Sequence, residues 1–198
     1  MIPIDTIGGL LIAGGRSTRF GAEKAVALFD GAPMLDRVAQ LFADLPTFSI
    51  SARPDSGAEA RARERGIEVL FDDPTLPSGP LAGVLGGLAW ARRRGFALLA
   101  SAPCDAPCLP ANLVARLADA IGTAPAAFAV TDAGQHPLCA LWSVGVHDTL
   151  RARLKGGEHP AVRAFLAELG GIPVHFDESQ AFANANTVEA LAILEGGA

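Results

Sequence analysis

The chain has 198 residues, a formal net charge of −5 and a 50% hydrophobic fraction, with only 19% of residues charged. That balance excludes an intrinsically disordered chain and predicts one compact domain. Its mild acidity argues against a dedicated nucleic-acid binder, and no apolar run approaches the roughly 18 residues needed to span a membrane.

The opening Met1-Ile2-Pro3-Ile4-Asp5 lacks the basic region of a secretory signal. Residues 7–13 form a short apolar run ending at Gly14-Gly15, which predicts a buried strand. Leu35, Val38, Leu41, Phe42 and Leu45 recur at helical spacing over 34–45. Residues 48–50 predict a strand, 58–65 an exposed helix, 67–71 a strand, 81–94 a helix, 96–100 a strand and 111–121 a helix. Further on, 126–131 and 138–142 read as strands joined by a turn at 132–134. Residues 144–154 and 161–169 read as helices, 172–176 as a strand and 188–194 as a closing helix. Strands alternating with helices predict an α/β fold: a Rossmann-like, three-layer α/β/α single domain with a mostly parallel sheet. In such sheets ligands bind outside the carboxyl ends of the strands, which directs attention to residues 14–24, 51–53, 72–80 and 102–109.

Four segments carry the chemistry. In IAGGRSTRFGAEK, residues 12–24, a strand opens into a glycine-rich cationic loop. Gly14 and Gly15 let backbone N–H groups approach phosphate oxygens, and Arg16, Arg19 and Lys24 would neutralise a polyphosphate. Lys24 is one of only two lysines beside 14 arginines. The segment is neither a Walker A loop nor a dinucleotide fingerprint, since no acid ends the second strand. Asp105, in Ala102-Pro103-Cys104-Asp105-Ala106-Pro107, reaches the same sheet edge, where a carboxylate facing a polyphosphate suits Mg²⁺. Gly79, Gly83 and Gly87 share one helix face, which predicts Gly79-Pro80 lining a ligand and the later glycines packing on the sheet. In Phe182-Ala183-Asn184-Ala185-Asn186-Thr187, Thr187 suits an N-cap, while Asn184 and Asn186 present amides to a polar substrate or metal. Cys104, Cys108 and Cys139 are odd in number and lack paired metal-ligand spacing, so they read as core residues of a cytoplasmic protein. None of the four histidines shows metal-ligand spacing or marks itself as a base.

The opening motif resembles the LAGG-x3-RMG-x2-K signature of nucleotidyltransferases that use a nucleoside triphosphate. The ordered series that follows is similar to that of the MobA-like nucleotidyltransferase family of molybdenum cofactor guanylyltransferases. It comprises Asp72, the GPLAG of 79–83, the P-C-D-x-P of 103–107, His136-Pro137, Gly156-Gly157-Glu158 and the F-x-N-x-N-T of 182–187. The resemblance implies transfer of GMP from Mg-GTP to the phosphate of molybdopterin, releasing pyrophosphate. It places Ile12, Ala13, Gly14, Lys24, Ser51, Asp72 and Asp105 at nucleotide contacts, Asp105 at the magnesium ligand, and Asn184 and Asn186 in the pterin-side pocket. It also implies transient contact with cofactor-handling proteins, with the enzyme a monomer or small homo-oligomer.

By this reading residues 1–110 form a nucleotide-binding half and 111–198 an acceptor-side half. The chain departs from the family pattern at Ser51, where a family member carries Asn, and at His159-Pro160, where members often carry a basic pair. A related branch uses CTP. A cytidylyl or sugar-phosphate nucleotidyltransferase, an NADP-dependent oxidoreductase with Arg53 on a 2′-phosphate, and a non-catalytic nucleotide-binding module are the alternatives.

Overall fold

The computed structural model of the chain describes residues 2–15 and 23–196. A seven-stranded sheet forms its middle layer. Its strands are β1 (Ile7–Ile12), β4 (Phe48–Ser51), β5 (Glu68–Leu70), β6 (Leu98–Pro103), β7 (Ala126–Thr131), β8 (Gly134–Ser143) and β9 (Ile172–His175), in the order β5-β4-β1-β6-β8-β7-β9. A small hairpin, β2 (Leu28–Phe29) with β3 (Ala32–Pro33), stands apart. The helices are α1 (Met34–Ala39), α2 (Gly57–Glu64), α3 (Pro80–Arg94), α4 (Leu113–Ile121), α5 (His147–Lys155), α6 (Val162–Leu169) and α7 (Val188–Gly196). Among the described residues no helix is long and apolar enough to cross a membrane.

Strands β5, β4, β1 and β6 pair in parallel; β8 runs antiparallel to both β6 and β7, and β9 returns parallel to β7. Parallel strands are covered on both faces and therefore read as continuous apolar runs. Successive residues of β1 show this: Leu11 enters the cluster holding Leu35, Val38, Ala58, Ala62 and Leu117, and Leu10 enters the one holding Val84, Leu88, Trp142, Leu150 and Phe165. Helices α1, α2 and α4 thus cover one face and α3, α5 and α6 the other, giving the predicted α/β/α layering. Buried polar groups are satisfied within the sheet: Ser101 Oγ donates to the Leu138 carbonyl at 2.7 Å and accepts from Trp142 Nε1 at 2.9 Å.

Several element boundaries differ from the sequence expectation. The strand predicted over 96–100 runs to Pro103, which pairs with Ile12. As the last residue it needs no ladder N–H, and Cys104 N donates to the Ile12 carbonyl in its stead, at 3.0 Å. The strand predicted over 138–142 begins at Gly134, because the hairpin turn is tight enough to pair Thr131 with Gly134. The helix predicted over 34–45 keeps α-geometry only to Ala39, then tightens into a 3-10 turn at Gln40–Phe42 that keeps Phe42 buried.

Candidate active site

Backbone bonds carry the ladders just past the strand ends: Ala13 N donates to the Ser51 carbonyl at 2.8 Å, and Ala52 N to the Leu70 carbonyl at 3.1 Å. These ends open together on a cavity of about 590 Å³, lined by residues 12–15 after β1, Ser51 and Arg53 after β4, Asp72 and 78–80 after β5, and 103–105 after β6. It falls within the usual range for small-molecule and cofactor sites. Glu23, Lys24 and Ala25 close one side, and Leu138 of β8 adds the one lining residue from beyond residue 105 among those described.

Two opposite charges meet in this cavity. Lys24 Nζ donates to Asp105 Oδ2 at 3.0 Å and to Asn186 Oδ1 at 2.6 Å. The lysine and aspartate side chains retain 14% and 24% of their exposure, so the pair is partly desolvated yet open to a ligand. Ala185 N donates to the Asp105 carbonyl at 2.8 Å, which brings the segment before α7 against the end of β6. Asp72 has its pKa raised by desolvation of its carboxyl, although the residue as a whole is exposed at the rim; a backbone N–H from Gly79 opposes the rise.

The three glycines of the 79–87 stretch divide as expected. A Cβ on Gly83 would lie 2.7 Å from Ser51 Oγ, and one on Gly87 2.6 Å from Leu10 Cδ2, so both are close-approach positions of α3 against the sheet. A Cβ on Gly79 meets nothing within 4 Å among the described residues; Gly79 lines the cavity and holds φ at +144°, where only glycine is at ease. A Cβ on Gly14 or Gly15 likewise meets nothing within 4 Å among the described residues.

Ile12, Ala13, Gly14, Gly15, Lys24, Ser51, Asp72, Gly79 and Asp105 therefore share one cavity, and Asn186 touches it through Lys24. Asn184 does not line it; the residue is exposed, and its carbonyl accepts from Asn186 N at 2.9 Å. Arg19, like Arg16, lies outside the described residues. Glu23, Ala25 and Leu138 line the cavity although sequence reasoning gave them no role, and Glu23 is the charged one among them. Glu23 sits inside the 14–24 stretch, but its partners are 34 and 35 residues downstream, where no local pattern points. Arg53, Ser78, Pro80, Pro103 and Cys104 fall within the stretches that the strand-end rule had marked.

The Cys104 thiol is pushed up to about 12 by burial, so it is protonated at neutral pH and is no thiolate nucleophile. No histidine lines the cavity among the described residues; His136 instead meets Thr131 Oγ1 at 3.0 Å and stacks on Phe182. No group of three or more His, Cys, Asp or Glu converges among the described residues. A lone hard-oxygen ligand such as Asp105 fits a magnesium ion whose other ligands come from water and substrate phosphate.

Residues 9–172 match the model of the MobA-like NTP transferase domain. The chain belongs to this family. It is accordingly a nucleotidyltransferase. It is 40% identical over 200 residues to a molybdenum cofactor guanylyltransferase from Burkholderia lata, spanning 96% of this chain and 95% of that one. It is also 40% identical to the protein of that name from Cereibacter sphaeroides, with 94% of each chain covered. The solved structure of molybdopterin-guanine dinucleotide biosynthesis protein A from Archaeoglobus fulgidus superposes with a TM-score of 0.78 at 21% identity, over 96% of this chain and 97% of that one. A 4-diphosphocytidyl-2C-methyl-D-erythritol synthase from Anaerococcus prevotii gives 0.73 at 10% identity, over 98% and 96%. At these identities the two structures speak for the fold: a single-domain α/β sheet of the nucleotidyltransferase kind.

Proposed function

We propose that this nucleotidyltransferase moves GMP from Mg-GTP to the phosphate of molybdopterin, forming the guanine dinucleotide and pyrophosphate. The observation that carries the reading is the Lys24–Asp105 pair at the common carboxyl edge of four parallel strands, in a cavity whose lining also includes Gly14, Gly15 and Gly79. The names of the full-length relatives supply the base and the acceptor. In this reading residues 1–110 bind the nucleotide and 111–198 meet the acceptor; all described lining residues except Leu138 fall in the first part. The enzyme works in the cytoplasm as a monomer or small homo-oligomer and hands on its product through transient contacts with cofactor-handling proteins.

The acceptor phosphate is already an anion at neutral pH, so an oxygen of it attacks the α-phosphorus without a strong general base. The new P–O bond forms as the bond to the β-phosphate oxygen breaks, and pyrophosphate leaves with that electron pair. The difficulty is bringing anions together, and the chain answers it with positioned positive charge and backbone N–H groups. Lys24 exchanges Asp105 for the phosphates and holds them in line with Arg19. Gly14, Gly15 and Gly79 leave the room into which phosphates and nucleoside fit, and Ser51 and Asp72 orient the nucleoside. Asp105 holds the magnesium ion, which when bound neutralises phosphate charge and stabilises the leaving group. Asn184 and Asn186 serve the acceptor side.

The test is pyrophosphate release by the purified protein with magnesium, molybdopterin and each nucleoside triphosphate in turn. GTP-dependent release with formation of the guanine dinucleotide supports the reading. CTP-dependent release moves it to the cytidylyl branch, and binding of NADPH in place of any triphosphate overturns the reaction class.

A further inference from the structure

We infer that Glu23 is a positioning residue for the transfer: it clamps the backbone immediately before Lys24 to the amino end of α2 and so fixes the direction in which the lysine enters the cavity. The inference rests on the nucleotidyl-transfer reading of the site.

Both carboxylate oxygens of Glu23 are engaged. Oε2 accepts from Gly57 N at 2.5 Å and Oε1 from Ala58 N at 3.0 Å. These are the first N–H groups of α2, which find no carbonyl within the helix and sit at its positive end. The helix has its own local cap, since Ser56 Oγ accepts from Glu59 N at 3.2 Å. The bidentate bond from Glu23 is therefore a second device, supplied from a distant part of the chain. The approach is close as well as charged: a Cβ on Gly57 would come within 3.2 Å of both Glu23 Oε2 and Val26 Cγ2. Residues on both sides of Lys24 thus press on the same helix end, and the 3-10 turn Lys24–Val26 starts directly after Glu23. Helix α2 in turn follows β4, whose end supplies Ser51 and Arg53 to the cavity. One carboxylate therefore joins the lysine-bearing wall to the β4 wall. The lysine must reach an inter-phosphate position to within a fraction of an ångström, and small misplacements are costly in rate.

A purely structural role would also lower activity if it loosened α2, so the control loosens the same helix elsewhere. Asp36 of α1 holds Arg61 of α2 at 2.6 Å and the adjoining Arg65 at 2.8 Å, and does not line the cavity. The experiment measures kcat and KM for Mg-GTP and molybdopterin in Glu23→Gln, Glu23→Ala, Asp36→Asn, Lys24→Ala and the Glu23→Ala/Lys24→Ala double variant, with thermal midpoints for each. The expected result is a fall in kcat of about tenfold or more in Glu23→Ala. Glu23→Gln, which keeps one acceptor oxygen, falls between it and wild type. Asp36→Asn stays within about twofold, and the double variant is no slower than Lys24→Ala, because the clamp acts through the lysine. The inference is overturned if Glu23→Ala turns over within about twofold of wild type, if Glu23→Ala and Asp36→Asn lose activity alike in step with stability, or if the Glu23 and Lys24 losses multiply. Normal wild-type turnover with unaffected Glu23 variants overturns this inference alone. A wild-type protein that transfers no nucleotide overturns the functional reading and the inference with it.

Discussion

The two parts of the central sheet serve the cavity unequally. In β5, β4, β1 and β6 every strand runs the same way, and each delivers lining residues from its carboxyl end. Across β6 the direction reverses at β8, and the three strands β8, β7 and β9 give the cavity only Leu138 among the described residues. The later part of the chain reaches the chemistry instead through the segment before α7, where Ala185 bonds Asp105 and Asn186 bonds Lys24. Parallel strands concentrate function at one edge because all their exits coincide there. Only β8 sends its exit to the far edge; β7 and β9 run with the first four strands but lie beyond β8, away from the cavity, and the chain reaches the site from them through the segment that follows β9.

The largest effect expected from breaking this arrangement is at Asp105. If the parallel edge holds the metal and phosphates, Asp105→Ala lowers turnover at least about a hundredfold in matched magnesium while the thermal midpoint stays near that of wild type. Near-normal pyrophosphate release would remove Asp105 from the reaction.

Next comes the lysine comparison. Lys24→Ala is expected to lower turnover by about a hundredfold, and Lys155→Ala, at the exposed end of α5, by less than about twofold. Equal losses in the two variants would break the link between Lys24 and the site. The contrast is informative because the chain has only these two lysines.

A smaller effect separates glycines that serve packing from glycines that serve the cavity. A Cβ at Gly9 would lie 2.6 Å from Phe48 Cβ and 2.9 Å from Phe42 Cγ, between the buried Phe42 ring and the half-buried Phe48 ring, which themselves pack at 5.6 Å. Gly9→Ala should cost about 1–3 kcal/mol, lowering the midpoint by about 2–4 °C per kcal/mol, with little change in KM. Gly14 is not among the glycines with positive φ and a Cβ there meets nothing within 4 Å among the described residues, so Gly14→Ala should fold normally yet raise KM for the nucleotide. Differential scanning calorimetry beside kinetics checks both; the reverse pattern would mean that the cavity is not where the nucleotide binds.

Most of this was readable from sequence wherever the signal is local. The run before Gly14-Gly15 is buried on both sheet faces, so its apolar continuity gave both the strand and its exit into the loop. Asp105 and Asp72 were found because a strand end and a turn residue adjoin in sequence. What escaped notice has a distant partner or too short a span. Glu23 bonds α2, the bond that joins Asn186 to Lys24 crosses 162 residues, and the short β2–β3 hairpin is too small to carry a period. Asn184 and Asn186 differ in the structure: the segment turns between them, Asn186 N donating to the Asn184 carbonyl, and it is the Asn186 side chain that bonds Lys24. Pro103 misled because proline usually marks the end of a strand's pairing, whereas here it is the last paired residue itself.

The smallest effect concerns acid, and it bears on how the later strands hold the segment that returns to the site. His136, in β8, is half-buried, with its Nε2 3.0 Å from Thr131 Oγ1 and its ring 4.6 Å from that of Phe182. Burial holds its pKa below the ordinary 6.5. Between the folded value and 6.5 the unfolded chain binds a proton that the folded chain refuses, so stability rises with pH through that window. Above 6.5 neither state is protonated and the contribution vanishes; below the folded value the full loss is in place. Thermal midpoints recorded from pH 7.5 down to 5 should therefore fall, and fall less in His136→Gln, which keeps a polar side chain beside Thr131 but cannot titrate. Phe182 begins the F-x-N-x-N-T segment, so nucleotide-dependent turnover in the wild type should soften over the same window as Asn186 loses its anchor. Equal slopes in the two proteins would place the acid sensitivity away from His136 and from the β8 contact with Phe182.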